Sequence, residues 1–232
     1  MTSTIEAAAR SAASVNTEIK ALTSGFGPAS IEGYFDEAFS VPGLIAAMKG
    51  AGHYDAAIIA CFDDTGLDAA RCLTTSPVVG IGEAAFHMAS LVAGQFSVIT
   101  TLQRSVPAIK HNLLKYGLLS RCSGVRASDI AVLDLERPGS ASRVRISEEV
   151  GRAIQQDGAE AIVLGCAGMA DYAKALSHEH GIPVLDGVTC AVRLAEALVG
   201  LGLKTSKIGG YAPPRAKPYS GLFACYSPTN PS

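Results

Sequence analysis

Two uninterrupted apolar runs, each ending on a cysteine, dominate the hydrophobic pattern of the chain. Ala56-Ala57-Ile58-Ile59-Ala60 runs into Cys61, and Ala161-Ile162-Val163-Leu164-Gly165 runs into Cys166. A short run with no polar alternation reads as a parallel strand buried on both faces. Around these two, strand and helix patterns take turns. Helical spacing, Ala-rich stretches and Gly stops predict helices over residues 2–14, a helix containing 41–49, and helices over 66–73, 83–92, 106–116, 146–156 and 190–199. Strands are expected at 77–82, 96–101, 130–135 and 206–211, with another opening at Pro183. Residues 17–23 alternate polar and apolar positions, a strand period, and the Gly-rich stretch 24–37 with Pro28 reads as a long loop running into a helix.

The two cysteine runs recur in matching frames. They stand 105 residues apart; Pro77 follows Cys61 by 16 residues and Pro183 follows Cys166 by 17. Beyond each Pro-Val strand comes an Ala-rich helix and then a short strand. This self-similarity reads as an internal duplication, and alternating strands and helices mean βαβ units with parallel sheet. The expected fold is α/β, with two pseudo-symmetric, parallel-sheet, Rossmann-like units and an active cleft between them. The first unit takes residues 1–94 and 187–232, the second 95–186. The second unit opens with a strand and the first with a helix, so symmetry expects a strand ahead of residue 2: either the first sheet is one strand short or, the favoured reading, an N-terminal segment is missing through truncation or a misassigned start.

Composition narrows the function. The chain has 232 residues, 48% hydrophobic and 17% charged, a formal net charge of −2 and no Trp. No basic footprint for nucleic acid or an anionic membrane is present, and base-stacking platforms are disfavoured. A small neutral or anionic ligand is the natural partner. Six cysteines without a C-x-x-C pair argue for reduced thiols and a cytoplasmic setting. No signal peptide or membrane-length apolar run is visible. The five histidines share no ligand spacing with a carboxylate or cysteine, so no metal site is expected. Gly80-Ile81-Gly82 is too short for a dinucleotide fingerprint.

In open parallel sheets ligands bind beyond the carboxyl ends of the strands, where both cysteines sit. A thiol just before a helix start feels unpaired N–H groups, which favour the thiolate. Two thiols on opposite sides of one cleft suit moving a proton from one face of a carbon to the other. Ala167 and Gly168 leave room for a substrate to approach the N–H groups. Thr100 and Thr101 end the adjacent strand and are available there as hydroxyl donors. Gly82, with Gly80, permits close backbone approach. Glu83 could orient a ligand or cap the helix that follows it, and Asp64 could bond first-turn N–H groups.

The segments Ala60-Cys61-Phe62-Asp63-Asp64-Thr65-Gly66-Leu67, Pro77-Val78-Val79-Gly80-Ile81-Gly82-Glu83-Ala84-Ala85, Val163-Leu164-Gly165-Cys166-Ala167-Gly168-Met169-Ala170, and Lys207 to Tyr211 with Ala212-Pro213-Pro214 together resemble the hydantoin and allantoin racemases of the aspartate/glutamate racemase superfamily. The resemblance runs over nearly the whole chain. It implies cofactor-independent racemisation of a cyclic ureide at C5, with Cys61 and Cys166 as the catalytic pair. Phe62, Asp64, Gly82, Glu83, Thr100, Thr101, Ala167 and Gly168 are then the candidate substrate-binding residues. A small-molecule cyclic ureide is the implied partner, and a homo-oligomer the implied assembly. The chain departs from the family pattern in two places. It lacks the opening strand and Asn-Pro-Asn-Thr motif, and after the first cysteine it carries Asp63, Asp64 and Thr65 where a small residue, Asp and Pro are expected. Asp63 puts negative charge beside a thiol that must ionise. Two alternatives stand beside this reading: a racemase of an acidic amino acid, whose cysteines would be flanked by Asn-Thr and Thr-His, and a non-catalytic ligand-binding homologue.

Overall fold

The Ala-rich first segment winds into α1 (Thr2–Ala12), whose small Ala8 and Ala9 are buried. The computed structural model describes residues 1–137 and 141–229. α2 (Tyr34–Gly50) begins inside the stretch read as loop, with Asp36 and Glu37 in its first turn where unpaired N–H groups favour negative charge. β1 (Ala57–Ile59), α3 (Leu67–Leu73), β2 (Val78–Gly80) and α4 (Ile81–Val92) follow as the pattern expects. Ile81 and Gly82, read as the end of a strand, already belong to the helix. Then come β3 (Phe96–Thr100), α5 (Val106–Lys115), β4 (Cys122–Ala127), α6 (Ser142–Asp157), β5 (Ala161–Gly165), α7 (Ala173–His180), β6 (Val184–Asp186) and α8 (Gly187–Gly200).

Three expected strands are absent among the described residues. Residues 130–135 lie largely in a 3-10 helix (Val132–Glu136), and the strand of that unit is β4 instead. Residues 17–23 find side-chain partners in place of a neighbouring strand. Arg10 Nη2 donates to the Ile19 carbonyl at 2.5 Å, and Glu196 Oε1 accepts from the Thr17 hydroxyl at 2.7 Å. Residues 206–211 end in a 3-10 turn, and the adjacent Thr205 contributes one backbone bond to Thr75 at 2.8 Å, not a ladder.

β1 and β2 form a two-stranded parallel sheet; the other four strands form a parallel sheet of order β4-β3-β5-β6. Thr100 pairs with Gly165, and Leu164 with Asp186, so the carboxyl ends of β3, β5 and β6 lie level. The chain leaves β3 toward β4 on one side and returns on the other side as β5, which makes the β3/β5 edge the topological switch point. Cys166 and Thr101 follow directly at that edge. The mixed α/β architecture with parallel sheets is as expected, but the two sheets are unequal in strand number. Locally the correspondence is close: β2 runs straight into α4 and β6 straight into α8, where Asp186 caps the helix by accepting from the Thr189 amide at 2.8 Å.

α4 and α8 both lie between the sheets: α4 contacts β2, β5, β6 and α5, α8 contacts β1, β2, β5 and β6, and the two helices pack on each other. Phe86 of α4 is fully buried, edge-on to Phe62 with centroids 5.3 Å apart and stacked on Phe96 at 6.1 Å. These rings join the loop after β1 to the first residue of β3 within the largest core cluster. Removing the central ring leaves a cavity that its neighbours on two sheets cannot both fill. Phe86→Ala is therefore expected to lower the unfolding free energy by about 3–5 kcal/mol in urea titration; a loss below about 1 kcal/mol would show that the ring does not join the layers.

Candidate active site

Cys61 follows β1 and heads a turn, not a helix: α3 starts six residues later, at Leu67. The donors around its sulfur are therefore turn donors, the backbone N–H groups of Asp63 and Thr65 and the Thr65 hydroxyl, whose oxygen lies 3.4 Å from Sγ. Cys166 follows β5 and does precede a helix start, the 3-10 segment Ala167–Tyr172, with the Gly168 N–H directed at its sulfur. Both side chains are partly buried. Burial, then the nearby Asp63 charge, pushes the Cys61 thiol up to about 12 from an ordinary 9.0. Burial, followed by Asp63 and Glu32, pushes Cys166 up to about 11, against the Gly168 N–H. The carboxylate of Asp63 thus acts on both thiols.

Asp63 and Asp64 are adjacent and do different things. Asp64 reaches across to the start of α4, where Oδ1 accepts from the Gly82 N–H at 3.0 Å and Oδ2 from the Glu83 N–H at 2.8 Å. Tyr116 Oη donates to the same Oδ2 at 2.8 Å. The residue is 6% exposed and adopts a φ of 51°, a left-handed backbone that Asp tolerates better than most residues. Burial pushes its carboxyl up to about 7 although all three donors favour the ionised form. Asp63 carries no such load. Its carbonyl accepts from Asn112 Nδ2 at 2.7 Å, but among the described residues its carboxylate accepts no hydrogen bond. Burial, then Glu37 and Asp64, pushes it up to about 7.

The remaining candidates divide the same way. The Phe62 side chain is 4% exposed and spent on the core. Gly82 and Gly80 do allow close approach, but by the Asp64 carboxylate: a Cβ on Gly80 would lie 2.1 Å from Asp64 Oδ1, and one on Gly82 would lie 2.3 Å from the Phe62 carbonyl. Glu83 neither caps α4 nor stands free. Arg71 Nη2 donates to its Oε2, while Arg71 also reaches the Val78 carbonyl at 3.1 Å and Tyr211 Oη at 3.3 Å. Thr100 Oγ1 donates to the Gly165 carbonyl at 3.1 Å, across the switch point. Thr101 is 3% exposed, and its carbonyl accepts from the Ile130 N–H. Ala167 and Gly168 are buried beside Cys166.

Sequence reasoning gave no site role to Glu37, Arg71 or Tyr116, and noted Thr65 only as a departure from the family pattern. Thr65, four residues beyond Cys61, was the one with a local signal. Beside the turn after Cys61 lies a cavity of about 610 Å³ lined by residues 63–69, the first turns of α2 and the outer face of α5. Among the described residues no group of three or more His, Cys, Asp or Glu side chains is arranged to hold a metal ion.

The chain has known relatives. Residues 1–195 match the Asp/Glu/Hydantoin racemase family, and the chain belongs to that family of isomerases. A hydantoin racemase from Pseudomonas sp. (strain NS671) is 46% identical over 225 residues, covering 96% of this chain and 90% of the relative. One from Rhizobium meliloti is 51% identical over 202 residues, covering 85% and 83%. Among solved structures, an allantoin racemase from Klebsiella pneumoniae superposes with a TM-score of 0.93 at 45% identity, covering 98% of this chain and 94% of that one.

Two outcomes test this geometry. Gly80→Ala forces a methyl into the Asp64 carboxylate, and overpacking of this kind is expected to lower the unfolding free energy by about 1–3 kcal/mol in urea; an unchanged value would mean that the carboxylate does not hold this position. The raised thiols predict that alkylation of Cys61 and Cys166 by iodoacetamide, followed by mass spectrometry, accelerates about tenfold per pH unit from 7 to 10, because only the thiolate reacts. A rate that bends over near pH 9 and levels off by pH 10 would show ordinary thiols.

Proposed function

We propose that this protein inverts C5 of a 5-substituted hydantoin or of allantoin by a two-base proton transfer between Cys61 and Cys166. The carrying observation is the placement of two thiols at the carboxyl ends of two different parallel sheets, both under the influence of the same carboxylate at Asp63. The names of the relatives, hydantoin racemase at 46% and 51% identity and allantoin racemase at 45%, support the substrate class.

The chemistry follows from the carbon acid. The C5 hydrogen of a hydantoin lies beside a carbonyl, and the electrons left behind by its removal delocalise into an enolate. One cysteine, as thiolate, takes the proton from one face; the other, as thiol, supplies a proton to the opposite face. The thiol that reprotonates C5 is left as thiolate, so the reverse inversion starts from the other side. Burial makes each thiolate a stronger base than an exposed one, which favours removal of a carbon-bound proton. Backbone N–H groups at Asp63, Thr65 and Gly168 offset part of the penalty of holding the charge. A neutral ring brings no carboxylate to Asp63, whereas a free acidic amino acid brings two. Phe62-Asp63 and Ala167-Gly168 also stand where that branch would carry Asn-Thr and Thr-His.

The test is polarimetry on a single enantiomer of a 5-substituted hydantoin and of allantoin. Cys61→Ala and Cys166→Ala are each expected to slow racemisation by about 10²-fold or more, the weight of a general acid or base. A single variant that racemises at the wild-type rate overturns the two-base reading. Binding of a hydantoin by the wild-type protein without any loss of optical rotation would instead mark a binding protein.

A further inference from the structure

The cavity beside the turn after Cys61 is used by nothing described so far. Its walls include Tyr34, Glu37 and Val41 from α2, Asp63 and Leu67 from the turn and α3, and Asn112 from α5. Thr65 also lines it, and the same Thr65 hydroxyl contacts Cys61 Sγ, so the cavity abuts the reacting centre. Two of its lining residues carry unengaged acceptors. Glu37 Oε1 is buried without a hydrogen-bond partner among the described residues, and the Asp63 carboxylate accepts no hydrogen bond from them. The cationic Lys115 on the same wall is held by Asp68 at 2.6 Å, which leaves the cavity with uncompensated negative charge.

We propose that this cavity receives the substituent on C5 of the ring, and that Asp63 and Glu37 make it selective for neutral substituents bearing N–H donors over anionic ones. The proposal rests on the ureide reading of the site and extends it to substrate choice. A buried acceptor without a donor is an unpaid desolvation penalty, which an amide or ureido N–H of the substituent removes. A carboxylate in the same place meets two like charges in a partly desolvated space and is disfavoured by their repulsion. Selection therefore works by attraction and by repulsion together.

Two probes of one shape separate these effects: hydantoin-5-acetamide and hydantoin-5-acetic acid, compared at pH 8.5, where Asp63, pushed up to about 7, is ionised. Wild-type protein is expected to show kcat/KM for C5 proton exchange at least about tenfold higher for the amide, as like-charge rejection requires. Asp63→Asn and Glu37→Gln, near-isosteric and uncharged, are each expected to reduce that ratio about tenfold or to unity. Circular dichroism and urea unfolding confirm that the variants fold. An unchanged ratio in both folded variants overturns the proposal.

Calorimetric binding of the same probes keeps the two readings apart. If the wild-type protein exchanges neither probe, the racemase reading fails, and the amide-over-acid binding preference, with its loss in Asp63→Asn, still decides the selectivity. Binding of neither probe, or equal binding of both by wild type, overturns it.

Discussion

The reach of Asp64 into the start of α4 is the interaction on which the site geometry depends. Its carboxylate takes the Gly82 and Glu83 N–H groups and the Tyr116 hydroxyl, which ties the turn after β1, the end of β2, α4 and the end of α5 to one point. No residue larger than Gly fits at positions 80 and 82 while the carboxylate stays there. Because the turn is fixed at Asp64, the preceding Asp63 is fixed too, its carbonyl held by Asn112 and its carboxylate left toward the thiols. One residue of the pair is committed to structure, while its neighbour's carboxylate accepts no hydrogen bond among the described residues.

The thiols sit in a balance between two opposing effects. Burial and the Asp63 charge raise both, while directed N–H groups, and at Cys61 the Thr65 hydroxyl, act in the other direction. Burial is the larger effect in each case. A reactive cysteine is more often found with a depressed pKa, and the difference suits the proposed proton transfer. A nucleophile needs to be ionised at rest, whereas an acid–base pair working on a carbon acid gains from a conjugate base strong enough to take the proton. The two positions are asymmetric, a turn around Cys61 and a helix start after Cys166, so the two thiols have different surroundings.

Much of the fold was legible because parallel strands buried on both faces leave a plain signal. β1, β5 and the helices after β2 and β6 follow from apolar runs, Pro-Val starts and matched cysteine frames. β4 was not legible: Cys122–Ala127 contains Ser, Gly and Arg, is half-buried throughout and lies at the sheet edge, and Arg126 pairs with Asp157 on α6 to hold it. The period of residues 17–23 is a true alternation, but a strand also requires a neighbour. At the site, the cysteines, the closeness allowed by Gly80 and Gly82, and the capping tendency of Asp64 could be read from local sequence. What approaches those glycines could not, since Asp64 lies 18 residues from Gly82 along the chain. Glu37 was hidden for the same reason, brought to Asp63 only by the packing of α2.

The wall that α2 supplies to the cavity differs in kind from the strands that carry the thiols. Of its seventeen residues only Gly43 is buried, and Tyr34, Phe35 and Phe39 are more than half exposed, whereas every residue of β5 is buried. Substitutions at Tyr34, Glu37, Ala38 or Val41 therefore reshape the cavity with little disturbance of the core, while substitutions along β5 disturb the core at once. The chain thus sets a wall that tolerates change against strands that do not: under the proposed reading, the α2 side can be altered without moving the strands that end at the two thiols.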